Sequence, residues 1–276
     1  MITLLDGPLG SELLARGVPT PLPGWSAHAL ETHPHMVAEI HRAYAAAGST
    51  VHTTNTFRTR PATMGTAWRA LAQRAVEIAR DSVPGDHRIA GSIAPIADCY
   101  RPDLSPPDAR KQHRALARVL ADAGVDLLLC ETFPHVGESV AAVEECVATG
   151  VETWVALTAG PDANLLTPEA LAAGAQRAAE AGASTVLVNC VPASQTQSYV
   201  DALRDTGLPF GAYANAGHPH EGVGWTAGGP GPSRYADLAQ QWIRSGAVII
   251  GGCCGTGPDH IAALREAMEI YPPGQT

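Results

Sequence analysis

Residues 248–255 read Val-Ile-Ile-Gly-Gly-Cys-Cys-Gly, an apolar run that ends on two glycines and two adjacent cysteines. The branched apolar residues, bounded by glycine, predict a strand that is covered on both faces. Pro258 follows closely and is typical of the first turn of a new helix. A buried strand therefore presents a pair of thiols at its carboxyl end. Gly251 and Gly252 are expected to leave space beside the sulfurs, and Gly255 allows the chain to bend directly after them.

A third thiol ends another apolar run, Val186-Leu187-Val188-Asn189-Cys190. Three thiolates at the ends of two strands would form a tetrahedral zinc site with an open fourth position, as catalytic zinc sites have. The alternative is that these cysteines are small buried apolar residues, since free cysteine is among the most buried residue types. The position of Cys253 and Cys254 next to each other between glycines favours the metal site. Cys190 taken by itself would favour a buried apolar cysteine.

The alternation of strand and helix extends from these two segments through the whole chain. The predicted strands are residues 3–6, 50–55, 88–95, 126–131, 153–158, 186–192, 210–215 and 248–252, with helices between them. The chain contains no nucleotide-binding glycine fingerprint. About eight βα units in a chain of this length predict an α/β fold of the (β/α)8 TIM-barrel class, with residues 1–276 as a single domain. A doubly wound sheet is the alternative.

Composition restricts the classes of partner. The 276 residues are 45% hydrophobic and carry a net charge of −9 with no basic cluster, which argues against nucleic acid and anionic membranes. The start of the chain lacks the pattern of a signal peptide, and no apolar run reaches the roughly 18 residues of a membrane span. We therefore expect a cytoplasmic protein that acts on small molecules, with its six cysteines reduced or bound to metal.

In the barrel interpretation the chemistry lies at the carboxyl ends of the strands. The candidate residues there are Asp6, Asn55, Glu131, Cys190, Asn215, Cys253 and Cys254. Zinc held by three thiolates carries net negative charge and suits a sulfur substrate, because coordination replaces the proton of a thiol whose free pKa is about 8.5. The acids Asp6 and Glu131 suit the ammonium of an amino-acid thiol, while backbone N–H groups around Gly7 and the Asn55 turn suit its carboxylate.

Six motifs together resemble the homocysteine S-methyltransferase family, and the match spans nearly the whole chain. They are Asp6-Gly7, Thr54-Asn55-Thr56-Phe57, Cys130-Glu131-Thr132, Asn189-Cys190, Tyr213-Ala214-Asn215-Ala216-Gly217 and Gly251-Gly252-Cys253-Cys254-Gly255. The resemblance implies a zinc-dependent barrel that transfers a methyl group to homocysteine and gives methionine. It implies zinc ligands at Cys190, Cys253 and Cys254, with Asn215 near the metal as a stand-in ligand when substrate is absent. It implies that Asp6 and Glu131 contact homocysteine, and Gly7, Thr54 and Asn55 are further candidates for substrate binding.

The methyl donor is a separate question. A short free-standing chain is most similar to family members that use S-methylmethionine or S-adenosylmethionine, and an aromatic face such as that of Trp25 can stabilise a sulfonium cation. A tryptophan that only covers the barrel rim is the alternative for this residue. Pro8, Ala214 and Ala216 depart from the family's usual residues, so betaine as donor, or another small thiol or a selenol as acceptor, stays open.

A hypothesis of another class is a barrel with structural zinc that serves as a binding module, or as the acceptor half of a multi-protein methyl transfer system. Structural zinc usually has four protein ligands, and the sequence offers no fourth cysteine or histidine at a strand end. We therefore predict an enzyme with a homocysteine site, a donor site and a Zn²⁺ cofactor. It is expected to be a monomer or a weak homo-oligomer.

Overall fold

Eight parallel strands form the centre of the protein in a computed structural model that describes residues 2–225 and 229–270. The strands run in the order β1-β8-β7-β6-β5-β4-β3-β2. Their bounds are β1 Thr3–Leu4, β2 Val51–Thr53, β3 Arg88–Ile93, β4 Leu127–Phe133, β5 Thr153–Leu157, β6 Thr185–Pro192, β7 Phe210–Asn215 and β8 Ile249–Gly252. The predicted (β/α)8 barrel is confirmed, and each predicted strand is found within a few residues of its predicted bounds.

The barrel closes between β1 and β2 through very few contacts. A single parallel bridge joins Leu5 to Val51, supported by backbone hydrogen bonds of 3.0 Å from the Asp6 N–H to the Val51 carbonyl and 2.9 Å from the Thr50 N–H to the Leu4 carbonyl. On its other side β1 pairs with β8 in regular parallel register. The seam of the barrel therefore lies beside Asp6.

Helices surround the strands and connect them in chain order. They are α1 Leu9–Ala15, α2 Ala29–Thr32, α3 Pro34–Ala47, α4 Pro61–Met64, α5 Trp68–Ser82, α6 Ala109–Asp122, α7 Val136–Val147, α8 Pro168–Glu180, α9 Gln197–Arg204, α10 Gly231–Arg244 and α11 Pro258–Ile270. The sequence predicts one helix over residues 62–82, and this is wrong. Gly65 adopts φ +54 and ends α4, so a short 3₁₀ turn separates α4 from α5.

The apolar core has two layers, one on each side of the strands. The larger layer lies between the strands and the helices, and the smaller fills the barrel interior. Successive residues of a strand point to opposite layers: Leu129 lies in the interior, whereas Cys130 packs outward with its sulfur 3.4 Å from that of Cys146 on α7. The interior layer includes Cys190, Tyr213 and Cys253, so the candidate site rests directly on the barrel core.

No helix among the described residues is long and apolar enough to cross a membrane.

Candidate active site

A cavity of about 320 Å³ opens at the carboxyl ends of the strands. Nine of the ten residues predicted from sequence line it: Asp6, Gly7, Trp25, Thr54, Asn55, Glu131, Cys190, Cys253 and Cys254. The tenth, Asn215, is buried behind Cys190 and donates a hydrogen bond to its carbonyl. Residues from most of the strand ends therefore converge on one pocket, as the barrel interpretation requires.

Three cysteine sulfurs meet at the base of this cavity. The sulfur atoms of Cys190, Cys253 and Cys254 all lie within 4.8 Å of one another. In the state described here Cys190 and Cys253 are joined by a disulfide with an S–S distance of 2.06 Å, while Cys254 is free. The expectation that all six cysteines are reduced or metal-bound is therefore wrong for this state, because sulfurs brought together as ligands are also close enough to bond to each other. Once reduced, the three thiolates would form a soft donor set that fits zinc.

A bulge in β6 turns Cys190 toward the cavity. Leu187 faces the barrel interior, so regular alternation would place Cys190 on the outside. The register of β6 against β7 shifts between Asn189 and Pro192, and Cys190 adopts φ +51, which is rare for a residue other than glycine. The strained backbone is thus the feature that presents the thiol to the site.

The neighbouring strand β4 has a matching irregularity immediately after Glu131. Its register against β5 shifts between Cys130 and Phe133, and Thr132 adopts φ +62. The fully buried Asn189 links the two bulges: its Oδ1 accepts from the Thr132 N–H at 3.1 Å and its Nδ2 donates to Thr132 Oγ1 at 2.7 Å. This pair of bonds, here called the bulge clamp, sets the spacing between Glu131 and Cys190.

Two further buried side chains, Asn215 and Tyr235, form hydrogen bonds at the carboxyl ends of β6, β7 and β8. Asn215 donates from Nδ2 to the Cys190 carbonyl at 2.9 Å and accepts the Gly217 N–H at Oδ1 at 2.8 Å. Both polar atoms are thus engaged, and its role as a stand-in ligand stays a prediction. The Tyr235 hydroxyl of α10 accepts from the Ala214 N–H at 3.0 Å, and its single proton is shared between the carbonyls of Gly251, at 2.7 Å, and Ala214, at 2.9 Å.

The two acids face each other across the cavity, each with dedicated hydrogen-bond donors. Asp6 accepts from the Thr53 N–H at 2.8 Å and from the Thr53 hydroxyl at 2.9 Å. Glu131 accepts from the hydroxyl groups of Ser92 and, at 3.2 Å, of Tyr213. Burial raises the pKa of Asp6 to about 8 and that of Glu131 to about 7. Neither carboxylate has a cationic partner within the described chain, so the pair is suited to receive a positive group from a substrate.

The outer part of the cavity is aromatic. Trp25 and Phe57 lie edge to face with ring centroids 5.9 Å apart, and Tyr100 completes this wall. Asn55 fixes the Trp25 segment by donating from Nδ2 to the Ser26 carbonyl at 2.8 Å. The Arg58 guanidinium lies 5.4 Å from the centre of the Phe57 ring and donates to the Ala97 carbonyl at 2.8 Å.

The glycines of the first and last motifs, Asp6-Gly7 and Gly251–Gly255, allow neighbouring residues to pack closely and do not open space beside the sulfurs. The sequence suggests that Gly251 and Gly252 leave space beside the thiols, and this is wrong: a Cβ on Gly251 would lie 2.6 Å from Leu5 Cβ, and one on Gly252 would lie 2.3 Å from Thr256 Oγ1. A Cβ on Gly7 would similarly meet the Tyr44 ring. The predicted bend at Gly255 is confirmed by its φ of +82.

Several site residues were missed by sequence reasoning. The donors to the acids, Thr53, Ser92 and Tyr213, come from three different strands. Ser92 is a polar residue in an otherwise apolar strand, Thr53 is one of several polar residues in its strand, and Tyr213 lies in a recognised motif without a predicted role. Arg58 follows a recognised motif but carried no signal of its own, and Asp98 lies in a loop that is rich in proline.

Comparison with known proteins agrees with this arrangement. The family model described as homocysteine S-methyltransferase matches residues 3–268. A homocysteine S-methyltransferase of Escherichia coli K12 is 33% identical, over 96% of this chain and 94% of that protein. The S-methylmethionine–homocysteine S-methyltransferase BHMT2 of Pongo abelii is 29% identical, over 88% of this chain and 72% of that protein.

The fold agrees equally well with solved structures. The metallated form of the homocysteine methyltransferase MmuM from Escherichia coli superposes with a TM-score of 0.80 at 29% identity, over 96% of both chains. Its oxidized form gives the same TM-score at 28% identity, over 96% of this chain and 95% of that one. The chain described here therefore belongs to the homocysteine S-methyltransferase family and is a methyltransferase.

Proposed function

We propose that the protein transfers a methyl group from the sulfonium of S-methylmethionine to the thiol of homocysteine, with zinc held by Cys190, Cys253 and Cys254. The observation that carries this proposal is the convergence of three sulfurs and two buried carboxylates on one cavity. We further propose that residues 1–276 act as one barrel domain that needs no protein partner. These assignments fit a thiol amino acid better than a substrate without sulfur.

The acids are suited to hold the amino-acid end of homocysteine. Asp6 and Glu131 are buried without a cation, so an entering ammonium would gain charge-assisted hydrogen bonds from groups that are already oriented. Thr53 and Tyr213 fix the two carboxylates from their outer sides. The acceptor sulfur would then lie toward the cysteines. When bound there, zinc would supply the stabilisation that keeps the substrate sulfur deprotonated at neutral pH.

The outer cavity supports an amino-acid sulfonium donor over betaine. The rings of Trp25, Phe57 and Tyr100 offer faces to a sulfonium cation. Arg58 and Asp98 also line this part of the cavity, and they would complement the carboxylate and the ammonium of S-methylmethionine. Betaine lacks the ammonium proton donors that Asp98 would recognise. The name of the Pongo abelii relative, an S-methylmethionine–homocysteine S-methyltransferase, agrees with this choice.

The reaction we propose is a direct displacement. The homocysteine sulfur attacks the methyl carbon and forms a new carbon–sulfur bond, while the bond to the sulfonium breaks and its electron pair stays on the donor sulfur. The thiol proton is released, and with S-methylmethionine two molecules of methionine result. Positioning two substrates in line within one cavity supplies much of the rate, because it makes a bimolecular step effectively unimolecular.

A methyl-transfer assay on reduced, zinc-loaded protein tests the proposal. Homocysteine is the acceptor, and S-methylmethionine, S-adenosylmethionine and betaine are offered separately. We expect methionine from S-methylmethionine at the highest kcat/KM. Arg58→Gln should raise the KM for this donor and leave the KM for homocysteine unchanged, whereas Glu131→Gln should do the reverse. Turnover with betaine alone, or with selenocysteine but not homocysteine, would overturn the donor or the acceptor assignment respectively.

A further inference from the structure

Two buried histidines lie behind Asp6, outside the cavity described above. His41 of α3 and His52 of β2 are both 0% exposed. Within residues 2–225 and 229–270, neither ring nitrogen of His41 has a hydrogen-bond partner, and Nδ1 of His52 has none either. Leaving a buried polar atom unpaired costs about 1–3 kcal/mol, so three such atoms in one place indicate that a ligand belongs there.

The geometry brings these histidines together with a carboxylate. One ring nitrogen from each of His41 and His52 and one carboxylate oxygen of Asp6 lie within 4.8 Å of one another. Thr53 donates two hydrogen bonds to this carboxylate, whose two oxygens together offer about four acceptor positions. The Asp6 carboxylate therefore keeps lone pairs that could coordinate a cation.

A second histidine contact fixes the orientation of His52. Its Nε2 lies 3.0 Å from Nδ1 of the partly exposed His87, and the two rings stack with centroids 5.2 Å apart. Histidines that bind metal usually have their other ring nitrogen hydrogen-bonded to an outer group in this manner. The unpartnered Nδ1 of His52 is therefore left free to coordinate a metal ion.

We propose that Asp6, His41 and His52 form a second metal site, selective for a divalent first-row transition ion and separate from the three-cysteine site. Two imidazoles and one carboxylate make a donor set of intermediate hardness, which suits Zn²⁺, Co²⁺ or Ni²⁺. An ion at this site would be coordinated by one nitrogen of each imidazole and by the buried carboxylate, so it would satisfy two of the three unpartnered nitrogens.

A metal ion at this site should weaken the binding of homocysteine. This expectation rests on the proposed function, but the proposal of the metal site does not. Asp6 lines the cavity on one side and meets the histidines on the other. A divalent ion bound behind its carboxylate reduces the attraction of Asp6 for a substrate ammonium. Excess metal should therefore raise the KM for homocysteine at least several-fold while kcat changes little.

The oxidised protein offers a direct test, because the Cys190–Cys253 disulfide removes two of the three thiolates from metal binding. The oxidised protein is titrated with Co²⁺ by calorimetry and optical spectroscopy. We expect one equivalent to bind without a thiolate-to-cobalt charge-transfer band. His52→Gln and His41→Gln should each lose this equivalent, and the matched control His35→Gln, exposed on the same helix as His41, should retain it.

Two outcomes would overturn the site. One is a folded, oxidised protein that binds no Co²⁺, and the other is binding that persists in both His41→Gln and His52→Gln, which would locate the ion elsewhere. Circular dichroism checks that the variants fold. If they do not, pulsed EPR of the oxidised wild-type protein with one equivalent of Cu²⁺ decides the question, since the site requires coupling to two imidazoles. None of these measurements involves methyl transfer, so they are independent of the proposed function.

Discussion

Replacing Asn189 with leucine should damage stability and metal binding together, because it removes the bulge clamp without leaving a large cavity. Leucine has the same number and branching of side-chain heavy atoms as asparagine, with bulkier methyl groups, but cannot accept the Thr132 N–H or donate to the Thr132 hydroxyl. The orphaned buried N–H costs about 1–3 kcal/mol and the second lost bond about 0.5–1.5 kcal/mol. We therefore expect a loss of about 2–4 kcal/mol in the free energy of unfolding.

The effect on the metal follows from where the clamp lies. Asn189 precedes Cys190, Thr132 follows Glu131, and both clamped segments carry a backbone bulge. Changing an outer group that orients a ligand typically lowers metal affinity by about 10–100-fold, and we expect a loss in this range for Asn189→Leu. The KM for homocysteine should rise in the same variant, because Glu131 shifts with its bulge.

The assay uses reduced protein. Zinc affinity is measured by competition with a chromophoric chelator, and stability by urea unfolding of the metal-free form. Thr132→Ser is the matched control, since serine keeps both the N–H and the hydroxyl of the clamp. Thr132→Ser should lose no more than about 1 kcal/mol, the cost of one buried methyl group. An Asn189→Leu protein with wild-type stability and wild-type zinc affinity would refute the role assigned to the clamp.

Three further predictions concern the thiols and the acids. Cys254→Ser should lower the intensity of the thiolate-to-cobalt charge-transfer band of the reduced Co²⁺ protein by about a third, because two of the three thiolates remain, and should lose methyl transfer. Cys99→Ser, at another buried cysteine that lines the cavity, should keep both; a band of undiminished intensity in Cys254→Ser would exclude this thiol as a ligand. Glu131→Gln should keep zinc and raise the KM for homocysteine by about 10–150-fold, the equivalent of one charge-assisted hydrogen bond, as steady-state kinetics with varied homocysteine would show. Burial raises the pKa of Asp6 to about 8 and that of Glu131 to about 7, whereas it lowers the pKa of His41 to about 4 and that of His52 to about 3. The acids and the histidines oppose each other below about pH 6.5, but above it the histidines are neutral in both states and the folded protein binds more protons than the unfolded chain. Thermal stability of the substrate-free, metal-free protein should therefore fall as the pH rises from about 6.5 to 8, while homocysteine affinity improves over the same range; a stability that rises there would contradict the burial of two uncompensated carboxylates.

The fold could be predicted from sequence because every strand of a parallel barrel is buried on both faces. Runs such as residues 126–131 and 186–190 are therefore nearly continuous in apolar residues, and their carboxyl ends coincide with the polar and cysteine residues. The positions of Asp6, Glu131 and the three cysteines followed directly from that topology. The helix break at Gly65 was missed, because the apolar period continues across a residue whose positive φ only the structure reveals.

The finer parts of the site depend on distances across strands. Strand alternation predicts Cys190 on the outside, and only the bulge at Asn189 and Pro192 reverses it. The disulfide between Cys190 and Cys253 likewise depends on sulfurs that approach across strands that are not neighbours in the sheet. His41 and His52 carried no signal, since a single histidine in a helix or a strand is common and only packing brings these two rings together.

The separation of Cys190 and Cys253 along the chain has a consequence for how the protein is made. The two residues are 63 positions apart, and at about 5–20 residues per second a ribosome needs about 3–13 s to synthesise the interval. Throughout that time Cys190 is an unpaired thiol on a growing chain, and β8, which pairs with β1 to continue the barrel, does not yet exist. Capture of the ion by all three thiols therefore cannot begin before synthesis has passed Cys254.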